Sequence, residues 1–492
     1  MKYTARVIAL FLAAFLLFPT YATAADIQDA LPLIVDSCIY GQTADLADYN
    51  FTEESFDSAF TKLSAEGVLP WYATGAYSYR YDQKSGTMLE FTPELLDPQI
   101  YDRTQYEQKL AEVMDLCILP DMNPVQIALS VHDCLILNCV YDETLQANTA
   151  YDLLINGTTV CAGYTALYMD ILNRAGVPCI QVTSEAMEHT WNLVQIDGCW
   201  YHVDLTWDDP TPDRYGFVNH KNFLLTDQEI AAGEKPHYAW DTDITCNDTR
   251  YTDAYWKNVE SAILFESSAV SYLIRSEDFT NYICRRDEVT GAQTVLYTDH
   301  EPSVNIGYGN YTYQHRGLAL RDGRLWFGTL DTLRSIRTNG NNLRTEYRHP
   351  DTDSYLYSFH IAQDTLYITT ADHNGNTAAT TAELPALGAH VHSYTETVQA
   401  PLCETGGYTT SVCSCGLSCQ SDLTAPTGHT LVQTDGKAAS LFSSGFSSEE
   451  CTACGYTQTL ALPQLTFIQW LEQILSWLGL MPGPETVGVP PS

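Results

Sequence analysis

Cys161, His189 and Asp204 place a thiol, an imidazole and a carboxylate in chain order. Cysteine acyl transfer needs that set: a nucleophile, a proton carrier, and a group that orients the carrier. Cys161 opens the segment CAGYTALYMDILNRA, where Leu167, Tyr168, Ile171, Leu172 and Ala175 recur at helical spacing. The thiol therefore sits at the mouth of a helix, where unpaired N–H groups and the positive dipole end favour a thiolate. Ala162 and Gly163 leave room there for a substrate backbone and an oxyanion. The main-chain N–H of Cys161 is the one oxyanion donor that can be placed. Thr158 or Thr159 is expected to cap the helix start, and Gly176 to stop it ahead of Pro178. Most cysteines are small buried hydrophobes or disulfide halves, so what surrounds Cys161 decides its role.

Those surroundings lie in EHTWNLVQIDGCWYHVDLTWDDP. Asp197-Gly198 is a strong two-residue hairpin turn between two strand-like runs. Its register opposes Ile196 to Cys199 and, further along, Trp191 to Asp204. His189 and Asp204 then share one face as diagonal neighbours, about 7–8 Å apart and within side-chain reach. A slip of one residue would put them on opposite faces. His202 shares that face and competes as the base. His189 is preferred because a strand end is better placed to meet a helix mouth. Trp191 and Trp207 either wall the cleft or pack the hairpin. Asp208 and Asp209 are expected to be turn residues before Pro210 rather than a working carboxylate pair. His132 and Asp133 fall inside a helix that Asn123 caps and Pro124 begins, and are expected to be hydrogen-bonded structure.

VCAGY, HTWNLV with GCWYHVDLTWDDP, and NFLLTDQEI resemble three core blocks of the transglutaminase-like superfamily, in its exported bacterial members rather than the animal cross-linking enzymes. SVHDCLILNCVYD and TAYDLLINGTTVCAGY are similar to the upstream part of the same group. The likeness runs roughly over residues 89–229. It implies an α+β, papain-like core in which a helix bearing the cysteine packs on an antiparallel sheet. It also implies Cys161, His189 and Asp204 as the catalytic set of a cysteine peptidase or protein-glutamine acyltransferase. The cysteine would attack an amide of a protein or peptide and form a thioester, which an amine or water then resolves. The calcium sites of the animal enzymes have no counterpart, so no cofactor is expected in catalysis. A different class of function remains open: a surface binding or adhesion protein that keeps the core with little turnover.

The rest of the chain frames this core. It has 492 residues, 24 basic and 61 acidic, with a net charge of −37. Such acidity excludes a nucleic-acid partner that is held by a basic groove. Residues 1–24 read as a signal peptide: Lys2 and Arg6, an apolar run from Val7 to Phe18, and small residues at Ala22 and Ala24. No later run is long enough to span a membrane, so the expected location is secreted or at the cell surface, with cell-wall peptides among the conceivable substrates. Residues 25–120 read as a mixed α/β part of the catalytic unit, with a helix from Thr52 to Gly67 and a hairpin across residues 76–93. Residues 121–262 make the core. Residues 263–388 form a β-rich domain in which related units, with Leu325 and Leu366 at matching places, resemble propeller blades. Residues 389–460 form a Cys/His module. There His392, Cys403, Cys413, Cys415, His429, Cys451 and Cys454 suit either structural zinc or disulfides. Residues 461–492 read as an apolar helix followed by a Pro/Gly tail.

Overall fold

The computed structural model describes residues 24–467 and 470, apart from 212, 215, 279, 300–303, 306–309, 312–316, 350–353, 363–364, 373–375, 384–393, 404 and 414–417. The expected signal peptide (up to residue 23), His392, Cys415 and the tail beyond residue 470 lie outside the described residues. No helix among the described residues is long and apolar enough to cross a membrane. The chain forms two compact units, residues 1–395 with 411–419, and residues 396–410 with 420–492. The architecture is α+β with a β-rich region.

The first unit begins with α1 (Ala24–Tyr40), β1 (Ala44–Asp45), α2 (Glu53–Ala65), β2 (Ala73–Tyr81) and β3 (Met88–Leu95). Thr52 caps α2 in a capping box with Ser55, and Gly67 follows in a left-handed conformation. The antiparallel sheet, ordered β1-β3-β2, covers a small core of its own in which Phe56, Phe60, Tyr77 and Phe91 pack ring against ring.

Next come α3 (Arg103–Cys117), α4 (Pro124–Leu137), β4 (Val140–Tyr141), β5 (Thr158–Thr159) and α5 (Cys161–Arg174). Asn123 and Gln126 form a capping box at the start of α4, with Pro124 at its first turn. A disulfide between Cys117 and Cys134 ties α3 to α4. The start of α5 departs from expectation. Val160 is its N-cap residue, and no side chain caps it. Thr158 and Thr159 instead pair in parallel with β4, and their hydroxyls donate to the carbonyls of Val140 and Ala147. The strand pairing occupies the groups that would otherwise cap the helix.

An antiparallel sheet in the order β6-β7-β8-β9 follows, from β6 (Cys179–Ser184), β7 (His189–Ile196), β8 (Cys199–Val203) and β9 (Phe223–Leu225). The β7–β8 pairs run from Ile196 with Cys199 to Asn192 with Val203, the register that the Asp197-Gly198 turn dictates. Helix α5 lies against this sheet. Tyr164, Leu167, Tyr168, Ile171 and Leu172 are buried with Val131 and Leu135 of α4 and Val194, Tyr201 and Val203 of the sheet. Between β8 and β9 stands the short α6 (Leu205–Asp208), and after β9 comes α7 (Asp227–Ala232).

From residue 264 the first unit is all β. Strands β10 (Leu264–Ser267), β11 (Val270–Glu277), β12 (Thr280–Asp287) and β13 (Gln293–Asp299) form one meander. The pair β14 (Val304–Asn305) and β15 (Asn310–Tyr311) follows it. A second meander joins β16 (Leu318–Arg321), β17 (Arg324–Gly328), β18 (Thr332–Arg337) and β19 (Arg344–Arg348). A third joins β20 (Ser354–Ala362), β21 (Thr365–Asp372) and β22 (Thr377–Glu383). Leu325 and Leu366 both sit buried in the second strand of their sheets. Leu273 and Cys284 of the first meander belong to the same hydrophobic cluster as α5, so no break in packing separates that meander from the core. The second unit takes in parts of β23 (Tyr394–Gln399), β24 (Gly407–Cys413) and β25 (Ser418–Thr424), then a three-stranded antiparallel sheet of β26 (Leu431–Lys437), β27 (Gly445–Cys451) and β28 (Thr457–Leu462).

Candidate active site

Cys161, His189 and Asp204 come from three different elements: the first residue of α5, the first residue of β7, and the N-cap of α6. As the first helical residue, Cys161 has an N–H without an intrahelical acceptor. Its thiol is in hydrogen-bonding contact with His189 and also faces the main-chain N–H of Thr190. His189 Nε2 lies 2.8 Å from Asp204 Oδ2, which leaves Nδ1 as the nitrogen turned to the thiol. Asp204 is completely buried, yet every part of its charge is answered. Oδ1 accepts from the main-chain N–H groups of Thr206 (3.0 Å) and Trp207 (3.3 Å), and Oδ2 takes two imidazoles. One carboxylate thus caps α6 and orients His189.

The electrostatics follow from these contacts. Burial favours the neutral Cys161 thiol, but the His189 hydrogen bond and positive charge, with the Thr190 N–H, outweigh it and lower the thiol below its ordinary value. Burial also opposes the His189 cation, but Asp204 and Cys161 outweigh it and raise the imidazole to about 9. Burial opposes the Asp204 anion, and the hydrogen bonds from His189 and His237 overcome it, so the group sits well below the usual carboxylate range. All three shifts favour the charged forms: the thiolate, the imidazolium and the carboxylate.

Several expectations are corrected. The space beside Gly163 is not open to a substrate: a Cβ there would collide with Thr159 Oγ1 and stand 2.6 Å from the Thr149 carbonyl oxygen. Gly163 is needed for close packing of α5 on β5. His202 does not compete as a base. Its Nδ1 accepts from Trp191 Nε1 at 2.9 Å, its Nε2 faces Asp227 Oδ1 at 2.9 Å, and burial pushes it down to about 4. Asp208 and Asp209 are neither a surface pair nor plain turn residues. Both are buried. Asp208 accepts from Asn222 and faces His132 Nε2 at 3.2 Å. Asp209 accepts from the Tyr164 hydroxyl, and burial raises it to about 8. His132 and Asp133 are hydrogen-bonded to each other at 2.8 Å. The two tryptophans divide. Trp191 is buried and stacks near His189 at 5.7 Å, and half-buried Trp207 stacks on it at 5.0 Å with planes 12° apart. Only Trp207 can face a substrate.

His237 has no counterpart in the sequence reading. It is buried, its Nε2 lies 2.9 Å from Asp204 Oδ2, and its ring packs on Trp207 at 4.1 Å. It follows α7 in a loop, beyond any hairpin register or helical period that could have placed it. Its geometry makes it a positioning residue that anchors Asp204. Replacing His237 by Ala should slow Cys161 alkylation about tenfold, since a hydrogen bond to a charged group is worth about 1.5–3 kcal/mol. His237→Gln, which can still donate to Asp204, should recover most of the rate and the acid limb of its pH profile. Equal losses in both variants would indicate a packing role only.

Residues 115–205 match the profile of the Transglutaminase-like superfamily. Over that stretch the chain is similar to this superfamily. Among curated proteins, the mouse kyphoscoliosis peptidase is 30% identical over 103 residues, taking in 17% of this chain and 16% of that protein. The human protein of the same name is 29% identical over the same length. This chain thus spans about one sixth of the relatives it matches, 16% of each. Among solved structures, a europium-containing methanol dehydrogenase is matched at a TM-score of 0.17 with 10% identity, over 32% of this chain and 23% of that one. A likeness of that size carries no argument about fold.

Proposed function

We propose that this protein is an exported cysteine acyl-transfer enzyme with a papain-like core, acting on amide bonds of proteins or peptides through a thioester on Cys161. The observation that carries the reading is the Cys161 thiol at a helix N-terminus in contact with His189, whose other nitrogen is held by a buried, fully hydrogen-bonded Asp204. Asp204 fixes the His189 tautomer with Nε2 protonated. His189 holds the proton taken from Cys161 and delivers it from Nδ1 to the leaving amine. The Cys161 N–H at the open turn of α5 is an oxyanion donor, and Trp207 borders the imidazole on its half-exposed side. Water then yields hydrolysis, and a primary amine yields transamidation. Export rests on the charged start and apolar run of residues 1–24. Cell-wall peptides are one substrate class that an exported enzyme would meet.

The test is incubation with casein and a biotinylated primary amine, followed by mass spectrometry of Cys161 and of the casein. An acyl adduct on Cys161, with amine incorporation, deamidation or new N-termini in the casein, all absent from Cys161→Ala, is the expected result. Product formed equally by Cys161→Ala, or no adduct with either casein or cell-wall peptides, would remove the enzyme reading in favour of a binding protein.

A further inference from the structure

The second unit has a chemical centre of its own. None of the hydrophobic clusters among the described residues draws on residues 396–410 or 420–467, so this small β module lacks a core large enough to hold it. In place of one, Cys403, His429, Cys451 and Cys454 gather their ligand atoms within 4.8 Å of one another. They come from the segment before β24, the turn before β26, the end of β27 and the turn after it.

Distances separate the chemistries this cluster could serve. Cys403 Sγ and Cys451 Sγ are 3.7 Å apart. A disulfide needs about 2.05 Å. Two thiolates on one tetrahedral zinc, each at about 2.3 Å, stand about 3.8 Å apart. Cys454 Sγ and His429 Nδ1 are 3.3 Å apart, near the roughly 3.6 Å that a sulfur and a nitrogen span on the same ion. The backbone agrees. Cys451-Thr452-Ala453-Cys454-Gly455 turns tightly, with Gly455 in the left-handed region at φ 75°. The N–H groups of Ala453 and Cys454 point at the Cys451 sulfur, the arrangement that supports a metal-bound thiolate. Tyr456 stacks on His429 at 4.3 Å and fixes its ring.

Three other clusters bring histidine together with carboxylates: His132, Asp133 and His220; His189, Asp204 and His237; and His202, Asp227 and Cys246. Their His–carboxylate separations are 2.8–3.0 Å. Nitrogen and oxygen ligands of one zinc would stand about 3.3 Å apart. Those pairs share protons. Among the described residues, the cluster with three cysteines combines the spacing and the softness that zinc selects.

We propose that Cys403, His429, Cys451 and Cys454 bind one structural zinc ion, closing the coordination shell and stapling the C-terminal module. Of the seven residues that the sequence offered, this selects four. Cys413 ends β24, with its side chain outside the description, and His392 and Cys415 lie outside the described residues.

The test uses the full chain, purified without added metal and then dialysed against Zn²⁺ or Co²⁺. One zinc per chain by elemental analysis is expected, as is a tetrahedral thiolate spectrum with cobalt. Cys454→Ser should weaken zinc binding at least tenfold, whereas Cys199→Ser, which lies outside the cluster, should not. Cys454→His keeps a ligand and should retain the ion, which separates ligand loss from misfolding. A chain two hydrogens lighter with Cys403 bonded to Cys451, or zinc kept equally by Cys454→Ser, would overturn the proposal. Activity at Cys161 is independent of either outcome.

Discussion

Alkylation of Cys161 by low iodoacetamide at pH 6 is expected to slow by one to two orders of magnitude in His189→Ala. An ordinary thiol of pKa about 8.5 is ionised in roughly one molecule in 300 at that pH. Burial opposes the Cys161 anion, but the His189 contact, its charge and the Thr190 N–H outweigh it and hold the thiol below its ordinary value, so the native protein carries more thiolate. The gain is less than the full 300-fold, because a thiolate of lower pKa is a weaker nucleophile. The pH profile carries the sign. Native alkylation should rise at lower pH than for an ordinary thiol, and His189 loses its proton at about 9. Turnover should fall through the same pH as the acid needed by the leaving amine disappears. In His189→Ala, alkylation should instead climb through about 8.5. Site-resolved mass spectrometry is required, since Cys199 and Cys454 are also accessible. Equal, slow labelling in both proteins would make Cys161 an ordinary cysteine.

Asp133→Ala is expected to lose about 3–5 kcal/mol of stability, the usual result of removing one partner from a buried charge network. Asp133 on α4 bridges His132 Nδ1 at 2.8 Å, His220 Nε2 at 3.0 Å and the Ile263 N–H at 2.7 Å. Burial opposes the Asp133 anion, but the two imidazoles outweigh it and lower its pKa. Burial likewise opposes the His132 cation, and Asp133 and Asp208 raise it to about 9. A histidine raised in the folded state stabilises fully below its unfolded value of about 6.5, and that contribution is lost as pH rises through about 9. Urea unfolding should show this loss in the native protein and a flatter profile in Asp133→Ala. The network also reaches the site. His132 faces Asp208, the last residue of α6, whose first turn Asp204 caps. Cys161 alkylation should therefore slow in the same variant. A stability change below about 1 kcal/mol would show that the network contributes little net energy.

Local rules carried much of the site. The Asp197-Gly198 turn sets a register that brings His189 and Asp204 to one face, because side-chain alternation leaves no freedom once the turn is placed. The apolar stripe of α5 puts Cys161 at a helix mouth for the same kind of reason. Asn123 and Thr52 cap their helices with groups three residues away. The tertiary structure decided whatever depends on approach between distant segments. Thr158 and Thr159 lost their capping role to β4, which comes from 18 residues earlier. His202 and His189 share one sheet face, but burial keeps His202 neutral despite Asp227, while Asp204 and Cys161 overcome burial and charge His189. Asp208 and His132 meet across 76 residues, and His237 reaches Asp204 across 33. In the C-terminal module, the fold brings Cys403, His429, Cys451 and Cys454 together from four separate places in the chain. Sequence periodicity governs neighbours within one element. Desolvation and long-range packing choose which of the polar residues thus exposed become charged, neutral or ligating.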